Sequence, residues 1–221
     1  MFQPPPWMEA ALKPDYAENF SLYSPAGGRK YLNAAERQRA LAVMAKLQTD
    51  HALFALVLAW TGARVSEVLA LTPASFQIES GIVAFQTLKR RKHCVREVPI
   101  PPELMTALAR HFELPAMQRD PQEADHRLWP WSRVTAWRHI KRVMSLAHIA
   151  GRQACPRGLR HAFGVGTLQA GVPLNVAQRW LGHARMSTTA IYAEVSGPEE
   201  TAFAKRFWVI SPSNGRPIEL S

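Results

Sequence analysis

The stretch "LGHARMSTTAIYAE", residues 181–194, closes one helical pattern and opens another. Before it, "LNVAQRWL" runs into Gly182, the residue type that most readily ends a helix in the left-handed conformation. His183 follows at once, then a short polar break, with Ser187 expected as N-cap of the next helix, "STTAIYAEV". Tyr192 stands at the ninth position after His183. By itself such a tyrosine reads as a core residue with a polar tip, and such a histidine as structural. A nucleophilic tyrosine would give the histidine a purpose, and the rest of the chain must decide between these readings.

Working outward, "LRHAFGVGTLQA" reads as a helix ended by Gly171. "RVTAWRHIKRVMSLAHIA" reads as a long helix with Ser132 as cap and Gly151 as stop. Nearer the N-terminus, "NAAE" (33–36) matches a capping box and should start a helix running to about Leu47. "DHALFALVLAWTGA" is apolar nearly all round, which marks a buried helix. Its apolar run, 52–63, is too short to span a bilayer. "RVSEVLAL" gives a third helix, stopped at Thr72–Pro73. Then the period changes to two, and "FQI", "IVAFQT" and "VREVPI" predict three short antiparallel strands. Ser80–Gly81 marks one turn, and the basic run Arg90–His93 lies near another. The expected fold class is mainly α with a small antiparallel β-sheet (α+β).

Residues 1–30 hold Pro4, Pro5, Pro6, Pro14 and Pro25 and then Gly27–Gly28, and are expected to be an arm. Residues 31–208 are expected to be one catalytic-type domain and 209–221 a tail without regular structure. "PEETAFAKRFW" places Pro198 in the first turn of a last helix. Its apolar Ala202, Phe203 and Phe207 suit docking on its own domain or on a neighbouring protomer.

Composition narrows the partner. Of 221 residues 47% are hydrophobic, enough for a packed core. Lys and Arg number 27 against 17 Asp and Glu, a formal charge of +10. The isoelectric point is near 10.2. A globular chain this basic favours polyanions, because neutralising phosphates releases counterions. Nucleic acid leads as partner. A membrane surface is disfavoured, since no basic amphipathic helix with a Trp/Leu face is evident. The two cysteines, Cys94 and Cys155, form no C-x-x-C pair, and the first residues form no signal peptide. A cytoplasmic protein with reduced thiols is expected.

Several charges stand among core residue types. Arg64 follows Gly62 and is flanked by Val65, Val68 and Leu69. A buried guanidinium needs an anion, which is either a phosphate or an internal partner such as Glu67. Arg157 and Arg160 lie three residues apart and share a face if their helix begins early enough. His161 reads as a core or supporting histidine. Lys89, Arg90, Arg91, Lys92 and Arg96 surround a strand turn. Of these, Arg90, Arg91, Lys92 and Arg96 are expected to meet DNA backbone at best. Lys89 sits beside Leu88 at a strand end, where its direction is fixed.

The order of these residues resembles the tyrosine recombinase (phage integrase) family. The matching segments are "TGARVSEVLAL" at 61–71, "LKRRKHCVREVPIP" at 88–101, "PRGLRHAF" at 156–163 and "LGHARMSTTAIYAE" at 181–194. The resemblance covers about residues 30–207 and implies the family's catalytic-domain fold. It implies that Tyr192 attacks a DNA phosphodiester to give a 3′-phosphotyrosyl link and a free 5′-hydroxyl. Arg64 and Arg160 would clamp the non-bridging oxygens, His183 would hydrogen-bond the phosphate, and Lys89 would protonate the leaving oxygen. No cofactor or metal is implied. The implied partner is double-stranded DNA, met by a homo-oligomer, with room for a partner protein or recombinase.

Two departures bear on this reading. Where the family usually has histidine, three residues before its second arginine, stands Arg157, which cannot act as a base and is expected to lower the Tyr192 pKa through its charge. Only about 30 arm residues precede the catalytic-type part, where most members carry an N-terminal helical domain, so weaker specific binding by this chain alone is expected. Both departures leave open a second reading, a catalytically weak or inactive DNA-binding regulator. A third is a type IB topoisomerase-like nicking and closing enzyme.

Overall fold

The computed structural model describes residues 21–86 and 95–193. The helical part starts where the capping box predicts. The Asn33 side chain accepts the Glu36 N–H at 2.8 Å, and the Glu36 carboxylate accepts the Asn33 N–H at 2.9 Å. Helix α1, Ala34–Met44, follows and ends a few residues before Leu47. Helix α2, Thr49–Thr61, is buried along most of its length, as its apolar composition requires. It ends at Gly62 with φ 60°, where a Cβ would stand 2.4 Å from the Phe163 ring. Both the left-handed backbone and the close ring select glycine there.

The short helix α3, Val65–Val68, leads through a 3₁₀ turn to the sheet. Strands β1 (Phe76–Gln77), β2 (Ile82–Gln86) and β3 (Val95–Pro99) pair antiparallel in the order β1-β2-β3. The register sets Val83 opposite Val98 and Phe85 opposite Arg96, all four on the buried face. Helices α4 (Pro102–His111) and α5 (Leu114–Met117) follow.

Ser132 caps α6, Arg133–Leu146, by accepting the Thr135 N–H at 3.0 Å. The helix ends before the expected Gly151, because His148 already turns the chain left-handed at φ 52°. Helix α7, Pro156–Gln169, is followed by Gly171 at φ 81°, and α8, Leu174–Leu181, by Gly182 at φ 65°. The last described helix, α9, is only Ser187–Ala190. Ser187 is not its cap. The chain begins to turn at Arg185 and Met186, whose carbonyls accept the Thr188 and Thr189 N–H groups, so Ser187 is already inside the helix.

Two apolar clusters result. The larger surrounds α2 with side chains from α1, α4, α6, α7 and the sheet, including Phe54, Trp129, Met144, Phe85 and Leu159. The smaller comprises Leu22, Tyr31, Phe163, Val165, Leu181, Ile191 and Tyr192. Among the described residues no helix is long and apolar enough to cross a membrane.

Candidate active site

The site forms where three helix ends meet. Arg160, one turn into α7, is buried. Its Nη1 donates to the Gly62 carbonyl at 2.5 Å and its Nη2 to the Leu181 carbonyl at 2.6 Å. These carbonyls close α2 and α8, where orphan acceptors and the negative dipole ends favour a cation. Burial, with the charge of Arg64 next, lowers the Arg160 pKa to about 10, so it remains a cation at neutral pH.

Glu67 organises two further arginines. Its Oε1 accepts from Arg64 Nη1 at 2.7 Å, and its Oε2 accepts from Arg96 Nη2 at 2.7 Å and from the Arg64 backbone N–H at 2.7 Å. Burial alone would raise the Glu67 pKa. The hydrogen bond and charge of Arg96, helped by Arg64, outweigh it and hold the carboxyl below its ordinary value. Arg64 keeps a third of its side chain exposed, so it faces solvent while Glu67 fixes its direction.

Tyr192 is 3% exposed. Its ring lies over Gly164 of α7, where a Cβ would come within 2.6 Å of it. Its hydroxyl lies 3.1 Å from His161 Nδ1. The His183 ring lies nearly parallel to the tyrosine ring, 6.1 Å away, and its Nδ1 is 3.0 Å from the Thr189 hydroxyl. Burial raises the phenol pKa, while the charges of Arg160 and Arg64 pull against it. Both histidines are neutral at pH 7. Burial, then Arg160 and Arg157, pushes His161 down to about 4; burial, then Arg160 and Arg64, pushes His183 down to about 3.

Arg64, Arg160 and His183 are thus gathered near Tyr192, the two arginines close enough for their charges to act on its phenol and His183 against its ring. Arg157 is not placed with them. It is exposed on the first turn of α7, and its charge acts on His161. The expectation that it lowers the Tyr192 pKa is corrected, since the lowering charges are Arg160 and Arg64 and burial outweighs them. Lys89, Arg90, Arg91 and Lys92 lie outside the described residues. Arg96 is corrected from a DNA-facing residue to an interior one. It is 5% exposed, lies over the Phe85 ring, and donates to the Trp180 carbonyl at 2.8 Å besides binding Glu67.

Two participants were missed. The Arg96 placement was available from alternation, since Arg96, Val98 and Ile100 share one strand face. That face points to Glu67, which sequence reasoning named only as an alternative partner of Arg64. His161 was read as supporting, whereas it contacts the tyrosine hydroxyl directly. A glycine one turn later, Gly164, was the signal that a ring packs on that face. Among the described residues no three His, Cys, Asp or Glu side chains converge to hold a metal.

The family model described as the phage integrase family matches residues 30–198. The tyrosine recombinase XerD of Haemophilus ducreyi is 32% identical over 164 residues, 72% of this chain and 54% of that protein. A crystal structure of XerA recombinase shares the fold with a TM-score of 0.65 at 24% identity, covering 80% of this chain and 64% of that one. XerH recombinase, crystallised on its palindromic difH substrate after cleavage, gives 0.64 at 19% identity, covering 81% and 53%. The chain spans about half the length of the curated relatives it matches.

Proposed function

The chain belongs to the phage integrase family, and on that premise we propose that it cuts and rejoins double-stranded DNA at specific sites through a 3′-phosphotyrosyl link to Tyr192. The observation that carries this reading is the Tyr192 hydroxyl standing in the field of two arginines, Arg64 just before α3 and Arg160 one turn into α7. A basic chain of charge +10 and a fold neighbour crystallised on its DNA substrate support the choice of polymer.

In this reading a phosphodiester seats on Arg64 and Arg160. The two carbonyl bonds of Arg160 occupy two of the five N–H groups of a guanidinium. Bidentate guanidinium contacts match phosphate geometry and stabilise charge gathering on the non-bridging oxygens. His183, neutral, accepts a hydrogen bond from the Thr189 hydroxyl at Nδ1 and donates Nε2–H to the phosphate. Tyr192 attacks phosphorus, the bond to the 5′-oxygen breaks, and Lys89 supplies that oxygen's proton, with Lys92 in the same segment as substitute. Arg90, Arg91 and Lys92 hold the DNA backbone. The active form is a homo-oligomer on DNA, or an assembly completed by a partner protein or recombinase.

A second reading, a DNA-binding regulator without cleavage, is favoured by the burial of Tyr192 and its raised pKa. Covalent trapping separates the two. The protein is incubated with nicked duplexes tiled across candidate DNA, beside Tyr192→Phe. An SDS-resistant adduct lost in the variant establishes the nucleophile. Salt-sensitive binding without any adduct, also when a partner recombinase is supplied, favours the regulator.

A further inference from the structure

Attack by Tyr192 requires that its phenol lose a proton, and none of the arginines around it can accept one. We propose that His161 is the proton acceptor for Tyr192, an inference that rests on Tyr192 being the nucleophile. Nδ1 of His161 is 3.1 Å from the hydroxyl, within the range for direct transfer. The rings are 5.8 Å apart and inclined at 54°, so the imidazole addresses the hydroxyl with its edge and not with its face. The contact joins α7 to the segment after α9, and Gly164 sets the tyrosine ring against the same helix.

The groups facing His161 are Arg160 and Arg157 on its own helix, Lys30 before α1, and Tyr192 and His183 beyond α8. All the formal charges are positive, and they keep the imidazole neutral and able to accept. A phosphate arriving on Arg160 brings negative charge to the same place. It stabilises the imidazolium when transfer makes it most useful. Arg157, exposed and three residues before Arg160, contributes charge but no acceptor.

His161 holds its proton on Nε2, and Nδ1 accepts the phenol hydrogen bond. As Tyr192 Oη bonds to phosphorus, its proton passes to Nδ1. The P–O5′ bond breaks and the 5′-oxygen takes a proton from the general acid. In rejoining, the attacking 5′-hydroxyl returns its proton to the deprotonated general acid as it forms the new P–O bond, the bond from phosphorus to Tyr192 breaks, and Nδ1 gives the leaving phenolate its proton.

The test uses the full chain and a nicked duplex that the wild type attacks. Single-turnover adduct formation is followed against pH for wild type, His161→Asn and His161→Ala, with circular dichroism and duplex binding as checks on folding. Asn sets an amide oxygen near the Nδ1 position but cannot take up a proton. General-base loss predicts that Asn slows adduct formation by about 10²- to 10⁴-fold. Its rate then climbs about tenfold per pH unit while the wild type is flatter, and added imidazole restores part of the rate of the Ala variant. An Asn variant within about threefold of wild type overturns the proposal. So does a slower one whose pH profile parallels wild type, with no imidazole rescue of Ala. Absence of a wild-type adduct, or an adduct retained by Tyr192→Phe, instead removes the nucleophile assignment and this inference with it.

Discussion

The two apolar clusters bury side chains equally well and for different ends. Around α2 the large cluster is almost wholly hydrocarbon, with Phe54, Phe85 and Trp129 packed edge to face or beneath a cation. Around Tyr192 the small cluster is walled by groups that water would otherwise hold: Arg160, Glu67, Arg96 and Thr189 are all buried beside it. Apolar packing tolerates loss of shape gradually, whereas a buried ion left alone is costly. The first cluster therefore sets whether the chain folds, and the second sets where one hydroxyl stands.

The largest effect should come from Glu67→Ala. It strands Arg96 in the interior and releases Arg64, and loss of one partner of a buried pair costs about 3–5 kcal/mol. Phe54→Ala should cost a similar amount, about 3–5 kcal/mol, by leaving a cavity. The pair separates in function. Below its melting midpoint Phe54→Ala should still form adduct, while Glu67→Ala should not, even when folded. Equal loss of adduct in both, measured at matched folded fraction, would break the division of labour.

Next come two glycines on one helix. At Gly164 a Cβ would stand 2.6 Å from the Tyr192 ring, and at Gly166 it would meet nothing within 4 Å. Gly164→Ala should destabilise by about 1–3 kcal/mol through overpacking and displace the tyrosine. Gly166→Ala should stabilise by about 0.5–1 kcal/mol, since glycine carries an entropic cost inside a helix. Thermal unfolding of both, with adduct formation, checks the pair.

How much of this was legible follows the same boundary. The large cluster follows from period and caps. Asn33 and Ser132 start helices where their chemistry says, and Gly171 and Gly182 end them. The sheet followed from alternation. Errors gather where tertiary placement overrides local signals. His148 ended α6 ahead of Gly151 by taking a left-handed backbone itself, and a turn at Arg185–Met186 absorbed Ser187. In the site, the family resemblance named Arg64, Arg160, His183 and Tyr192, but local spacing could not tell that Arg96 faces in while Arg157 faces out. That depends on which strand face meets α3 and on the first turn of α7 projecting from the body.

A smaller effect concerns acid. His161 and His183 have folded pKa values near 4 and 3 against an ordinary 6.5. The unfolded chain therefore takes up protons first as pH falls. Stability is full above about pH 6.5 and declines toward about pH 4, by up to about 1.4 kcal/mol per pH unit for each histidine. His139 shifts in the same direction, and Glu67 adds its loss only below the ordinary carboxylate range. Urea unfolding of wild type and His183→Asn between pH 7 and pH 5 should show a shallower slope in the variant. Parallel slopes would mean that His183 is as solvated as a surface histidine.

The smallest expected effect is Arg157→Ala. Arg157 sits three residues before buried Arg160, yet it is exposed, and exposed substitutions usually move stability by no more than about 0.5 kcal/mol. Its charge nevertheless contributes to holding His161 neutral. Removing it should leave the melting temperature almost unchanged while moving the His161 titration upward, read from the imidazole carbon-bound proton shifts in NMR. Arg160→Ala should do the reverse to the fold, since it deprives the Gly62 and Leu181 carbonyls of their donor. If Arg157→Ala leaves the His161 titration where it was, the first turn of α7 is electrically separate from the hydroxyl, and only its second turn belongs to the site.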